Sequence, residues 1–335
     1  MMTDNYKIAF SNFRNQYFTA EELIGERENG HLKTNSRIFY STYSDWSVEQ
    51  KSRFIESLIV GQPHPAFFID GSLEQWYLID GGKRLKALYQ FVTGKYELQS
   101  LYFLGDLYEN KSYSKLPLFI RRKIMNYQFE AYILNPGTSA QVRYGVYMNL
   151  LARPRKNISN ECRQFIFAEG FEVLENICRP LKSALQYRKR SYFSFLNNCT
   201  AEELAGRLFV FLLYQEEGAF EDMKSVNMEI LVNSLLETPQ KLSRFIDVYS
   251  FGRLLESIVD KIGSNALAGI RDVREIDVIL AVMAVLLREK KRLSQNVDWS
   301  ERIDRIWQNM PYINECQGYL LDNYLSRFQF VYQNL

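Results

Sequence analysis

Histidine is nearly absent from this sequence: His31 and His64 are the only two among 335 residues. An HNH-type nuclease draws its base and metal ligands from several histidines, so the supply excludes that chemistry. Cysteine is also scarce. Cys162, Cys178, Cys199 and Cys316 form no C-x-x-C pair, which excludes a Cys/His zinc site. Cys178 and Cys199 lie among helical apolar positions and read as buried, reduced thiols. No Gly-x-Ser-x-Gly elbow is present, so there is no sign of a Ser/His/Asp triad. No apolar run approaches the roughly 18 residues of a membrane span. The opening "MMTDNYKIAF" has no long apolar run behind a basic start, so no signal peptide is expected. The expectation is a cytoplasmic chain away from the membrane. Net charge is only +2, too little for a basic nucleic-acid coat but compatible with a local basic groove. There is no internal repeat and no low-complexity linker.

What the chain does have is apolar mass. Hydrophobic residues make up 47% and aromatics 15%, enough for a sizeable core and, at this length, for two domains. The texture changes along the chain. Up to about Pro136, short β-like runs alternate with turns and helices. "HPAFFI" and "EQWYLI" flank "DGS" and read as a hairpin; "FEAYILN" reads as a further strand. "VEQKSRFIESLIVG" carries Phe54, Leu58 and Ile59 at helical spacing, with Gly61 as its stop. "LPLFIRRKIMN" is a second helix. From about Ser139, "SAQVRYGVYMNLLA", "SNECRQFIFAEGFEVLENIC", "TAEELAGRLFVFLLYQEEG" and "EIDVILAVMAVLLREKKR" are all helical in period. Thr200 with Glu203 spells a capping box, and Ser159 or Asn160 is placed to cap the helix of Arg163. The expected fold class is α+β, with a small mixed domain over 1–137 and a larger all-α domain over 138–335.

One junction stands out. In "WYLIDGGKRLKALYQFVTGKY", Trp76 to Tyr96, an apolar strand breaks at Asp80-Gly81-Gly82 and resumes as a basic helix with Lys83, Arg84 and Lys86. Glycines let a ligand approach the backbone, helix N-terminal amides favour an anion, and the cations add charge. A phosphate cradle fits. So does an ordinary strand–turn–helix junction with a capping Asp. A Walker loop does not, because Tyr77 stands at its first glycine and Arg84 follows the lysine.

"IDGGKRLKALYQFVTGKYEL" resembles the signature of the GmrSD-type restriction family, usually Ile or Val followed by DGQQR-L-x-x-L and an aromatic helix ending in Gly-Lys. "WSVEQKSRFIESLIVGQPHPAFFI" resembles that family's upstream tryptophan and helix. "VYMNLLARPRKNISNECRQFIF" is similar to its downstream F-x-R-L-N … L-N-x-Q-E-L-R-N. The resemblance spans about Tyr40 to Phe167. It implies a ParB/sulfiredoxin-like N-terminal domain and a nucleotide-binding, DNA-directed module of bacterial defence. At most weak NTP hydrolysis, with Mg²⁺, is implied, and a partner nuclease or effector supplies any cleavage. On this alignment Asp80 and Arg84 take the catalytic positions, with Asp80 orienting water or a metal. Gly81, Gly82, Lys83, Asn149, Glu161 and Arg163 would bind nucleotide. Arg84 and Arg163 would hold phosphates as guanidinium forks, with Lys83 auxiliary. The family's Gln-Gln is Gly82-Lys83 here, its upstream Gln-Arg is missing, and Tyr147 and Met148 stand at its Arg and Leu. The other class of function open to such a chain is a non-catalytic adaptor or sensor in which the altered motif is structural.

Basic clusters are the remaining candidates. Arg153, Arg155 and Lys156, and Arg188, Lys189 and Arg190 beside Tyr187, Tyr192 and Phe193, mix cations with rings or loops and suit a DNA backbone. Arg121 to Lys123 is a third cluster. Arg288 to Arg292 reads as a solvated helix end. His64, in "GQPHPAFF", reads as a loop or packing residue.

Overall fold

The computed structural model describes residues 12–34, 45–151, 158–187, 202–203, 205–210 and 227–240. These described residues divide into two units between Ile158 and Ser159. The fold is mixed α+β, with a five-stranded sheet in the first unit.

The expected hairpin is there. Strand β3 (Phe67–Asp70) runs antiparallel to β4 (Trp76–Asp80). Its turn is set by the Asp70 carboxylate, which accepts from the Ser72 amide at 3.0 Å and from the Ser72 hydroxyl, an Asx turn. Strand β5 (Gln128–Leu134) lies parallel to β3 and buries Phe129, Ala131 and Ile133 at the alternate positions a half-buried strand demands. Two strands had no sequence signal. β1 (Phe13–Thr19) pairs antiparallel with β5 along its whole length, and the two-residue β2 (Leu32–Lys33) pairs parallel with β4. β1 buries only Phe18 among its seven residues, so it lacks apolar alternation. Edge pairing and side-chain bonds such as Asn15 to Glu130 at 2.9 Å hold it. The resulting order is β1-β5-β3-β4-β2.

Helices α1 (Ala20–Glu28), α2 (Val48–Val60) and α3 (Gly82–Val92) supply the rest of the core. Thr19 with Glu22 and Ser47 with Gln50 form capping boxes that start α1 and α2. α2 buries Phe54, Ile55, Leu58 and Ile59 and ends at Gly61, left-handed at φ 88°. Short α4 (Gly105–Tyr108), α5 (Leu118–Met125) and α6 (Ala140–Leu151) complete the unit. Where the chain runs into α4, the buried Glu56 carboxylate of α2 accepts from three successive amides, Tyr102, Phe103 and Leu104, at 2.7–2.9 Å. That loop presents Tyr102 and Phe103 to solvent.

The second unit is described through α7 (Ile158–Ile166), α8 (Ala168–Tyr187), a helical segment at 205–210 and α9 (Met228–Glu237). α8 and α9 touch at Gly170, where a Cβ would lie 2.0 Å from the Leu236 carbonyl oxygen; no larger residue fits. Ser159 and Asn160 sit inside the first turn of α7, because the helix already starts at Ile158. Thr200 lies outside the described residues. Glu203, its expected capping partner, gives its carboxylate to Arg163 and Arg207. The apolar run at 275–292 also lies outside them. Among the described residues no helix is long and apolar enough to cross a membrane.

Candidate functional site

The Asp80 junction lines a cleft of about 280 Å³ in the first unit. β4 ends at Asp80, the chain turns at Gly81, and α3 starts at Gly82. Gly81 has φ 103°, and a Cβ there would lie 2.3 Å from Cδ1 of the buried Phe67 ring. Both the backbone angle and the ring underneath require glycine. At Gly82 a Cβ would meet nothing within 4 Å. The first helical bond runs from the Leu85 amide to the Gly81 carbonyl at 3.0 Å. The first amides of a helix have no acceptor within it, and the N-cap residue here, Gly81, brings no side-chain cap. The dipole end of α3 therefore opens on the cleft with its positive partial charge.

The side chains divide by chemistry. Asp80, Lys83 and Lys86 bring charge; Trp46, Leu78, Leu150 and Leu151 bring apolar surface. Lys86 donates to both oxygens of Asp45, at 2.7 and 2.6 Å. That bond, with the charges of Lys86, Lys51 and Lys83, holds the Asp45 carboxyl below its ordinary pKa of 3.8 against the opposing effect of desolvation. Leu150 and Leu151 arrive on α6, fixed by a buried tie: Asp70, fully buried, accepts from Arg143 Nε at 3.0 Å and the Tyr147 hydroxyl at 2.8 Å. Burial raises the pKa of the Tyr147 hydroxyl, and the Asp70 carboxylate beside it raises it further.

Arg84 is committed to partners within the junction and the segment before β3. It is 8% exposed. Its guanidinium donates to the Pro65 carbonyl, to the Ala66 carbonyl at 3.1 Å and to Asp80 Oδ2 at 3.3 Å, and it lies 4.5 Å over the Phe67 ring. Burial lowers its pKa and Asp80 opposes the shift. A planar fork so engaged fastens the junction to the segment before β3. Lys83, one residue earlier, lines the cleft half-buried.

The junction residues Asp80, Gly81, Gly82, Lys83 and Arg84 thus share one cleft. Asn149 is exposed on α6, next to Leu150 but not among the lining residues. Glu161 and Arg163 belong to α7. Arg163 is 1% exposed and pairs with Glu203, while its Nε donates to Asn233 Oδ1 at 2.8 Å. Burial pushes the Glu203 carboxyl up, but Arg163 and Arg207 outweigh it and hold the group below 4.5. Arg153, Arg155, Lys156, Arg188, Lys189 and Arg190 lie outside the described residues. Of the third basic cluster, Arg122 and Lys123 are exposed on α5. His64 packs against Phe54, with ring centroids 5.1 Å apart, and shares a 2.9 Å hydrogen bond with Ser57. His31 pairs with Glu26 and lies 4.6 Å from Trp76. Among the described residues no cluster of three His, Cys, Asp or Glu is placed to hold a metal.

Sequence reasoning missed Asp45 and the apolar wall from α6. Asp45 directly precedes the tryptophan and the capping Ser47, so the start of α2 carried the available signal. Leu150 and Leu151 had none, because helical spacing does not reveal which site a helix end will border.

No family model, no curated protein and no solved structure matches the chain.

Proposed function

We propose that this chain is a nucleotide-binding module whose ligand phosphates lie at the Asp80–Gly81–Gly82 junction. The observation that carries the reading is the cleft itself. A helix start whose N-cap is a glycine packed on Phe67, together with Lys83 and Lys86, borders one concavity. Within it the roles differ from the motif's expectation. Lys83 and the α3 amides contact phosphate; Arg84 keeps the turn in shape; Asp80 is the carboxylate available to a bound Mg²⁺ or water. The motif resemblance extends the reading to a DNA-directed defence module, cytoplasmic, with a ParB/sulfiredoxin-like first domain, a helical second domain and a partner supplying any cleavage. The missing glutamines keep NTP hydrolysis weak. The test is a panel of nucleoside triphosphates with Mg²⁺ in a thermal-shift assay. A ligand at 100 times its Kd stabilises by about 2.7 kcal/mol, and Lys83→Ala should abolish the shift. No shift with any nucleotide refutes the reading.

A second reading is favoured by a separate feature. The loop held by Glu56 exposes Tyr102 and Phe103, 68% and 69% accessible. Rigidly presented aromatics are typical anchors of protein interfaces. An adaptor would use that loop and leave the cleft empty.

A further inference from the structure

Resting on the nucleotide reading, we infer that Trp46 is the stacking platform for the ligand's base, so that the cleft takes a single nucleotide with its base on the indole and its phosphates at the start of α3. The cleft has two chemically distinct walls. One carries Asp80, Lys83 and Lys86; the other is Trp46 with Leu78, Leu150 and Leu151. A phosphate anion alone has no use for the second wall. A nucleotide uses both, since every base has a π-face that an aromatic ring can cover.

The indole is held ready for this role. It packs on Phe54, with centroids 5.7 Å apart and planes at 58°, and remains half-buried while lining the cleft. Its neighbours on both sides are tied down. Asp45 is tied to Lys86 of α3 at 2.6 Å, and Ser47 is the cap of α2, its amide donating to Gln50 at 2.9 Å. A ring fixed before the ligand arrives loses little freedom on binding. The Asp45–Lys86 tie also couples the two walls, because it joins the residue next to the indole to the helix whose amides face the phosphates. The volume of about 280 Å³ lies just under the ~300–1,000 Å³ usual for ligand sites, which favours one nucleotide over a dinucleotide. A purine covers more of the indole than a pyrimidine and should bind more tightly.

The test compares adenosine, guanosine and cytidine triphosphates with inorganic tripolyphosphate by calorimetry on the full chain. Wild type should bind the purine nucleotides about five-fold to a hundred-fold more tightly than tripolyphosphate, the range that one stacked base supplies. Trp46→Leu should erase that difference and leave tripolyphosphate affinity unchanged. Trp46→Phe should keep most of it, which separates stacking from loss of fold. If wild type binds tripolyphosphate and nucleotides equally, the stacking role is overturned and the phosphate site stands. The stacking role also falls if Trp46→Leu weakens all ligands alike in a protein of unchanged melting temperature. If wild type binds none of them, the nucleotide reading fails and this inference fails with it.

Discussion

Replacing Gly81 with alanine isolates the geometry on which the junction depends. The new methyl would lie 2.3 and 2.5 Å from Cδ1 and Cε1 of Phe67. That ring cannot retreat, being 1% exposed, edge-on to Phe129 at 5.2 Å and covered by Arg84 at 4.5 Å. Overpacking of this kind costs about 1–3 kcal/mol. The φ of 103° adds about 1–2 kcal/mol for any residue with a Cβ. The expected loss is therefore about 2–5 kcal/mol, a large part of the ~5–15 kcal/mol of a typical domain. Gly82→Ala is the control. It has the same chemistry one residue along, in open space at the first helical position, and should stabilise by about 0.4–1 kcal/mol. Urea unfolding followed by tryptophan fluorescence reads the difference. Replacing Trp299 and Trp307 by phenylalanine leaves Trp46 and Trp76, both in the first unit, as the reporters. At a slope of about 2 kcal/mol/M, the Gly81→Ala midpoint should fall by roughly 1–2.5 M and that of Gly82→Ala should rise slightly. A Gly81→Ala midpoint equal to wild type, or an equal fall in both variants, would refute the argument.

Arg84→Lys should lower the melting temperature, because a point charge cannot serve Pro65, Ala66 and Asp80 together. The cost is about 1.5–3 kcal/mol, and differential scanning calorimetry showing no change would count against the anchoring role. Asp70→Asn should destabilise by about 3–5 kcal/mol, since it leaves the buried Arg143 without its counter-charge; the readout is loss of the first unit's cooperative unfolding. His64 has a lowered pKa in the folded chain, through burial and then the Arg84 charge. The unfolded chain therefore binds its proton first. His64's contribution to stability is full above its ordinary pKa of 6.5 and is lost as pH falls below it towards the folded value. The melting temperature of wild type should drop over that interval, and that of His64→Gln should drop less. Glu203 behaves as a depressed carboxyl, so its contribution is present above 4.5 and lost as pH falls through its folded value. Circular dichroism of Glu203→Gln should show a smaller acid loss of helix than wild type.

The sequence was readable where one residue type has one physical use. Gly61 after an apolar helix, the Asp-Gly-Ser turn and the alternation of "FEAYIL" each led to the observed element. The strand-to-helix change at Asp80 was legible for the same reason, since only glycine suits the conformation between them. β1 was not legible, because "FRNQYFT" earns its place through pairing with a distant strand rather than through its own burial. The cleft was legible only on one side. The charged wall comes from neighbouring residues in a single motif. The apolar wall depends on the tie from Asp70 to Arg143 and Tyr147 across the fold, and no local pattern announces that. The direction of Arg84 was hidden as well: a guanidinium beside glycines suits a phosphate and a backbone carbonyl equally, and only the neighbouring Pro65–Ala66 carbonyls decide between them.

The pairing of β1 with β5 has a consequence for biogenesis. Phe13 of β1 faces Leu134 of β5, so β1 has no partner in the sheet until about 120 further residues have left the ribosome. At about 5–20 residues per second, that wait lasts roughly 6–24 s. Through it, Arg14, Asn15 and Gln16 keep the waiting segment hydrated and discourage chance strand pairing with other nascent chains. The polar character that hides β1 from pattern reading is thus the property that protects it during synthesis. Docking of β1 onto β5 becomes a late folding event, which the two-residue β2 on the opposite edge does not share.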